Sequence, residues 1–242
     1  MARRYKVKQK PKATATDEAK QLIEDPDALV EQFSKTEVWI QRNKLLVFGV
    51  LGLIFAAVAG YFGYNYYVTN LDKEAQVEIF SAVFYFEADS LDKALNGDGR
   101  HFGLLDIIED YGNTKTGNLA QFYAGAAYLK KGEFQTAIDH LNEFNGGDFL
   151  VQARAYALIG DAYMELGNYT DASEYYDKAA NYQSNDSFTP GYLLKAALAY
   201  EKQSDYTAAK SRYEQVMEDY FDSSEYQIAQ KQKARLEGLT SP

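Results

Sequence analysis

Gly160 to Ala172, GDAYMELGNYTDA, is the stretch that decides the fold. It reads as the end of one helix, a sharp turn and the start of another. Gly160 and Ala162 are small, Tyr163 is large, and Gly167 sits where the first helix must stop. Glycine tolerates the left-handed conformation that ends a helix. Asn168, Tyr169 and Ala172 then open the second helix.

The same spacing occurs twice more. Upstream lie Gly125-Ala-Ala-Tyr128, Gly132-Glu-Phe134 and Ala137. Downstream lie Ala197-Leu-Ala-Tyr200, Ser204-Asp-Tyr206 and Ala209. The copies are offset by 35 and 37 residues. A large side chain follows in each, Leu141, Tyr176 and Tyr213, with Phe144, Ala179 and Val216 three residues on. The small residue at 125, 160 and 197 lets two helices approach closely, and the tyrosine three later fills the groove between them. The alanine at 137, 172 and 209 marks a second close crossing. A hairpin of this kind cannot bury its apolar face alone, so hairpins stack into a solenoid. No run of alternating β-branched residues competes with this reading.

The pattern resembles the tetratricopeptide repeat, and the fold class expected is all-α, a solenoid of such hairpins. The copies span 118–150, 153–184 and 190–221. A degenerate copy near 75–111 carries Ala82-Val-Phe-Tyr85, Leu91 and Ala94, is interrupted at Asn96-Gly-Asp-Gly99, and resumes as a helix from Phe102 to Tyr111. A capping helix is expected over 224–238. Ser224 and Gln227 would form a capping box at its start, and Gly238 would end it.

Upstream of the repeats, Leu45–Tyr64 reads LLVFGVLGLIFAAVAGYFGY, twenty residues without a charge. A helix of that length matches a hydrocarbon core of roughly 30 Å. A cleaved signal peptide would lie nearer the N-terminus and end in small residues, and a buried core helix would carry some polar side chains. The segment is read as a membrane anchor, with Trp39 before it and Tyr61, Tyr64, Tyr66 and Tyr67 crowding its far end. Residues 1–24 form a basic and polar tail, expected to be disordered. A short amphipathic helix is expected over 25–44, with Asp25 as N-cap, Pro26 in the first turn, and Leu29, Phe33 and Ile40 on one face. It either lies at the membrane surface or extends the anchor.

Lys35, Arg42 and Lys44 precede the anchor closely, whereas only Lys73 follows it before Lys93. That bias places the N-terminus inside and the domain outside. Asn168-Tyr-Thr170 and Asn185-Asp-Ser187 match the glycosylation acceptor, a pattern too common to settle the kingdom. With nothing else suggesting glycosylated secretory traffic, the setting expected is a bacterial inner membrane, with a cytoplasmic N-terminus and a periplasmic C-terminal domain.

The net charge of −10 is uneven. Residues 1–44 carry ten Lys/Arg against seven Asp/Glu, and the remainder fifteen against twenty-eight. An acidic domain argues against nucleic acid as partner. The chain has no cysteine, which excludes disulfides and thiol chemistry. No zinc pair, nucleophile elbow or phosphate-binding loop is found. Catalytic residues, metal ligands, cofactors and a small-molecule substrate are therefore not expected. Asn96-Gly-Asp-Gly99 lacks the ligand count of a calcium loop and is read as a turn. Asp106, Glu109 and Asp110 are read as a solvated face, and His101 and His140 lack metal-ligand neighbours.

The chain as a whole resembles the YfgM-like family of ancillary Sec-translocon subunits in the form found in Bacteroidota-type bacteria. The resemblance rests on the charged tail, Thr36 to Ile40, the single anchor, and four phrases: ALNGDG (Ala94 to Gly99), FGLLDIIEDYGNTKTGNLA (Phe102 to Ala120), YAGAAYL (Tyr123 to Leu129) and IGDAYMELGNY (Ile159 to Tyr169). It implies a periplasmic repeat domain beside the translocon, paired with a periplasmic chaperone or prolyl isomerase and acting on nascent chains. An envelope scaffold unrelated to secretion and an independent holdase are the alternatives.

In the tetratricopeptide family the first helix of each hairpin lines a concave face. Those positions carry over to Leu119, Phe122, Ala126 and Leu129 in the first copy. The second gives Arg154, Ala157, Asp161 and Met164, and the third Leu194, Leu198 and Glu201. These side chains either line a mixed apolar and acidic groove or pack within the superhelix. The Lys, Asn and Arg clamp that grips C-terminal carboxylates is missing from them.

Overall fold

A computed structural model describes residues 36–240, with eleven helices and no strand among them. By its contacts the chain divides into two units, Met1–Tyr64 and Asn65–Pro242.

Within the first unit, α1 covers 36–42, and α2, Lys44–Glu87, begins. Asn43 separates the two helices, its backbone N–H shared between Trp39 O and Ile40 O at 3.0 and 3.2 Å. The apolar part of α2 has a mean hydropathy of 2.4, and none of that window is buried by protein. It is long and apolar enough to cross a membrane. Trp39 and Ile40 are exposed on α1. The expected tail, the Asp25-Pro26 helix start, Leu29 and Phe33 lie outside the described residues.

The second unit is a stack of helical hairpins. The end of α2 packs with α3 (Leu91–Asn96) and α4 (Leu104–Tyr111). Three regular hairpins follow: α5 (Lys115–Lys131) with α6 (Phe134–Glu143), α7 (Phe149–Glu165) with α8 (Tyr169–Asn181), and α9 (Thr189–Lys202) with α10 (Tyr206–Asp219). Helix α11 (Tyr226–Thr240) closes the stack against α10.

The repeat register explains the packing. Ala94, Ala137, Ala172 and Ala209 are each fully buried at the second helix of a hairpin. A Cβ added to Gly125 would stand 2.5 Å from Leu141 Cγ, and one added to Gly160 would stand 2.7 Å from the Tyr176 ring. The partner helices therefore use the space a side chain would need.

The turn is equally regular. Asp89, Gly132, Gly167 and Ser204 occupy one register position, and all four have positive φ, at 58°, 81°, 72° and 65°. Each lets the chain reverse within a residue or two. Asn168 and Asp205, one residue on, cap the second helices by accepting from Asp171 N and Ala208 N. Thr114 and Asp148 cap α5 and α7 in the same manner. Asp72 of α2 adds a long-range cap, accepting from Thr116 N at 2.8 Å.

Four local expectations are corrected. Helix α4 starts at Leu104 rather than Phe102, because Gly103 is its N-cap and Asp106 turns back to accept from Gly103 N at 2.9 Å. Asp106 is thus a capping residue, while Glu109 and Asp110 are exposed. At α11, the Ser224 hydroxyl donates to the neighbouring Glu225 instead of forming a box with Gln227. That helix also runs through Gly238, which stays helical.

Candidate functional site

The first helices of successive hairpins stand side by side, and two adjoining clefts lie along them. One has room for about 310 Å³ and is lined by Leu119, Phe122 and Tyr123 of α5, Leu150, Val151 and Arg154 of α7, and Phe188 and Tyr192 at the start of α9. The other, of about 330 Å³, is lined by Phe86, Glu87, Phe122, Tyr123, Ala126, Leu129, Lys130, Arg154 and Leu158. Phe122, Tyr123 and Arg154 border both.

The walls are set by edge-on aromatic packing. Tyr123 meets Phe86 with ring centres 5.4 Å apart and Phe122 at 5.6 Å. Phe122 leans on Phe144 of the same hairpin. Such contacts fix side chains that would otherwise be free to rotate. Two cations border the clefts. Lys130 is held by Asp89 at 2.5 Å and lies over the Phe86 ring. Arg154 is exposed and makes no hydrogen bond or ion pair among the described residues.

Five of the eleven positions carried over from the repeat register border these clefts: Leu119, Phe122, Ala126, Leu129 and Arg154. Ala157 is buried at 4 % exposure. Met164 and Leu194 pack against neighbouring cores, and Leu198 is exposed. The two acids are taken up by the stack itself. Asp161 accepts from the Tyr176 hydroxyl at 2.6 Å and from Lys195 Nζ at 2.7 Å. Glu201 accepts from the Tyr213 hydroxyl at 2.7 Å and binds Arg235. Burial and the adjacent carboxylates push both tyrosine pKa values up, so these phenols remain proton donors.

Tyr123, Leu150, Val151, Phe188 and Tyr192 were not singled out by the sequence. A signal for two of them exists: Val151 and Phe188 share one repeat position, 37 residues apart, a turn before the positions that were chosen.

The remaining polar groups have structural partners. Asp98 accepts from the backbone of Arg100 and His101 at 2.9 Å and from the Tyr85 hydroxyl at 2.8 Å. These donors hold its carboxyl far below the usual range and close Asn96–Gly99 into a turn. His101 stands beside the same carboxylate. His140 stacks on Tyr128, with ring centres 5.2 Å apart, and its Nδ1 lies 2.6 Å from Gln121 Oε1. With that oxygen as acceptor, Nδ1 carries the proton. Burial pushes the His140 pKa down.

No curated protein matches the chain. Two models of the tetratricopeptide repeat match residues 153–186 and 192–223, covering most of the hairpins α7–α8 and α9–α10. With the shared register of turns and close crossings, those matches make the chain a carrier of tetratricopeptide repeats, modules that bind other proteins.

Proposed function

We propose that the chain is a membrane-anchored, non-catalytic interaction protein that works as an ancillary subunit of the Sec translocon. In this reading Leu45–Tyr64 spans a bacterial inner membrane, the N-terminus is cytoplasmic, and the repeats face the periplasm. There the clefts along the first helices receive emerging polypeptides or the chaperone or prolyl isomerase that handles them. Leu119, Phe122, Ala126, Leu129 and Arg154 form part of that binding face. The observation that carries the reading is the run of apolar and aromatic side chains that lines two adjoining clefts along three successive first helices, buried at Phe122 and Ala126, half-buried at Leu119, Tyr123 and Leu129, and exposed at Leu150 and Phe188. Such a surface suits a partner helix or an unfolded segment. The exposed apolar stretch of α2 supports the anchor, and the four sequence phrases support the translocon.

Photo-crosslinking in cells tests it, with reactive residues placed singly at Tyr67, Leu150 and Phe188, all solvent-exposed. Tyr67 is expected to capture translocon subunits, and Leu150 and Phe188 to capture nascent chains or a periplasmic chaperone. Capture of envelope-assembly proteins alone, from all three positions, would replace this reading with that of a scaffold.

A further inference from the structure

Arg154 is the cation of the clefts that no carboxylate pairs among the described residues; Glu87, the acid on the border of the second cleft, is exposed and makes no ion pair with it. The other cation there, Lys130, is neutralised by Asp89. The other two arginines of the regular stack and its cap, Arg212 and Arg235, are bound by Asp177 and Glu201. Arg154 has no such partner, although the chain after residue 44 holds twenty-eight acids to fifteen bases. It stands where the two clefts meet, between aromatic and aliphatic walls.

From this we infer that the groove selects apolar polypeptide segments that carry an acidic side chain, and that Arg154 sets their register by pairing with it. The inference rests on the proposal that these clefts are the protein-binding face. An apolar segment lying across the groove strips water from Arg154, and a guanidinium desolvated without a partner is costly. A carboxylate at that point removes the cost, because the planar guanidinium grips it through two parallel hydrogen bonds. A lysine at the same point is repelled. Elsewhere the acidic domain disfavours a carboxylate, so Arg154 fixes where along the segment the acid must fall.

The test uses the full-length protein in detergent micelles and three fluorescein-labelled synthetic peptides. They share flanking Leu and Phe residues at helical spacing and differ only at the central residue: Glu, Gln or Lys. Fluorescence anisotropy reads the affinity of each. The Glu peptide is expected to bind about tenfold more tightly than the Gln peptide, in keeping with a charge-assisted hydrogen-bonded pair, and the Lys peptide more weakly still. Arg154→Gln should level the three, and R154E should make the Lys peptide the tightest. Arg154 is exposed, so an unchanged circular dichroism spectrum is expected for both variants. Equal binding of the three peptides to the unsubstituted protein overturns the role of Arg154 and leaves the groove standing. Binding of none of them overturns the groove as a peptide site, and the inference with it.

Discussion

At Gly125 the stack depends on a missing side chain. A Cβ there would meet Leu141 Cγ at 2.5 Å and the Ala137 carbonyl oxygen at 3.0 Å. Leu141 is itself buried, and the carbonyl belongs to the neighbouring helix, so the helices of the hairpin must part. Gly191 offers the opposite case. It lies in the first turn of α9, and a Cβ there meets nothing within 4 Å. Gly125→Ala is expected to cost about 2 kcal/mol, the usual range for overpacking a tight contact. Gly191→Ala is expected to add about 0.5 kcal/mol, because alanine loses less backbone freedom than glycine on entering a helix. Thermal unfolding followed by circular dichroism should therefore move the midpoint in opposite directions for the two variants. A midpoint that does not fall for Gly125→Ala would show that the first hairpin is not packed as closely as its register implies.

Between elements, the repeat period reappears as polar bonds spanning about one repeat. Lys195 reaches Asp161 and Arg235 reaches Glu201, each across 34 residues, and Arg212 reaches Asp177 across 35. The Asp177 node is the most enclosed of these ion pairs apart from Glu201's end of its own. Its carboxylate on α8 accepts from Arg212 Nε at 2.7 Å, Arg212 Nη2 at 2.8 Å and the Tyr200 hydroxyl at 2.7 Å. One side chain thus ties the second hairpin to both helices of the third. Asp177→Ala leaves a half-buried guanidinium and a phenol without their acceptor, which should cost about 2–3 kcal/mol. Asp177→Asn keeps an acceptor and should cost less. Urea unfolding should show a lower midpoint with an unchanged slope, and a loss under about 0.5 kcal/mol for Asp177→Ala would remove the node from the account of how hairpins couple. The sequence disclosed the hairpins but not these ties. Small residues and glycines at fixed spacing are signals of backbone geometry, and Gly132 and Gly167 announce their turns. Asp89 and Ser204 adopt the same left-handed conformation without glycine, so only the register points to them. Acid–base pairs carry no spacing rule of their own. Asp161 and Glu201 therefore read as groove residues in the sequence, whereas in the structure Tyr176, Lys195, Tyr213 and Arg235 occupy their oxygens. The register alone sets the helix face of Leu119, Phe122, Ala126, Leu129 and Arg154, and that face borders the clefts. Tyr192 could not be read in this way, because the other copies carry buried alanines, Ala120 and Ala155, at its register position, and Phe188 lies a turn before the positions chosen.

For the whole molecule the decisive question is whether α2 spans a membrane as proposed and, if it does, which side each end occupies. The charge bias around α2 argues for the N-terminus inside, because Lys and Arg close to a span resist transfer across the bilayer. Lys35, Arg42 and Lys44 lie within ten residues of Leu45, and Lys73 is the nearest base beyond Tyr64. The absence of cysteine makes the point directly measurable. A single cysteine placed at Thr14 reports on the tail, and one at Ser211, exposed on α10, reports on the repeats. Neither variant competes with a native thiol. In intact cells with a permeabilised outer membrane, a maleimide that cannot cross the inner membrane should label Ser211→Cys and leave Thr14→Cys unmodified until the cells are lysed. Both should stay with the membrane fraction after an alkaline wash, as expected for a protein held by a spanning helix rather than by surface charge. The reverse labelling order would put the repeats in the cytoplasm and end the case for a partner acting on exported chains. Release by the alkaline wash would instead remove the anchor. The repeat fold would survive either result, since its packing rests on residues after Tyr64 alone.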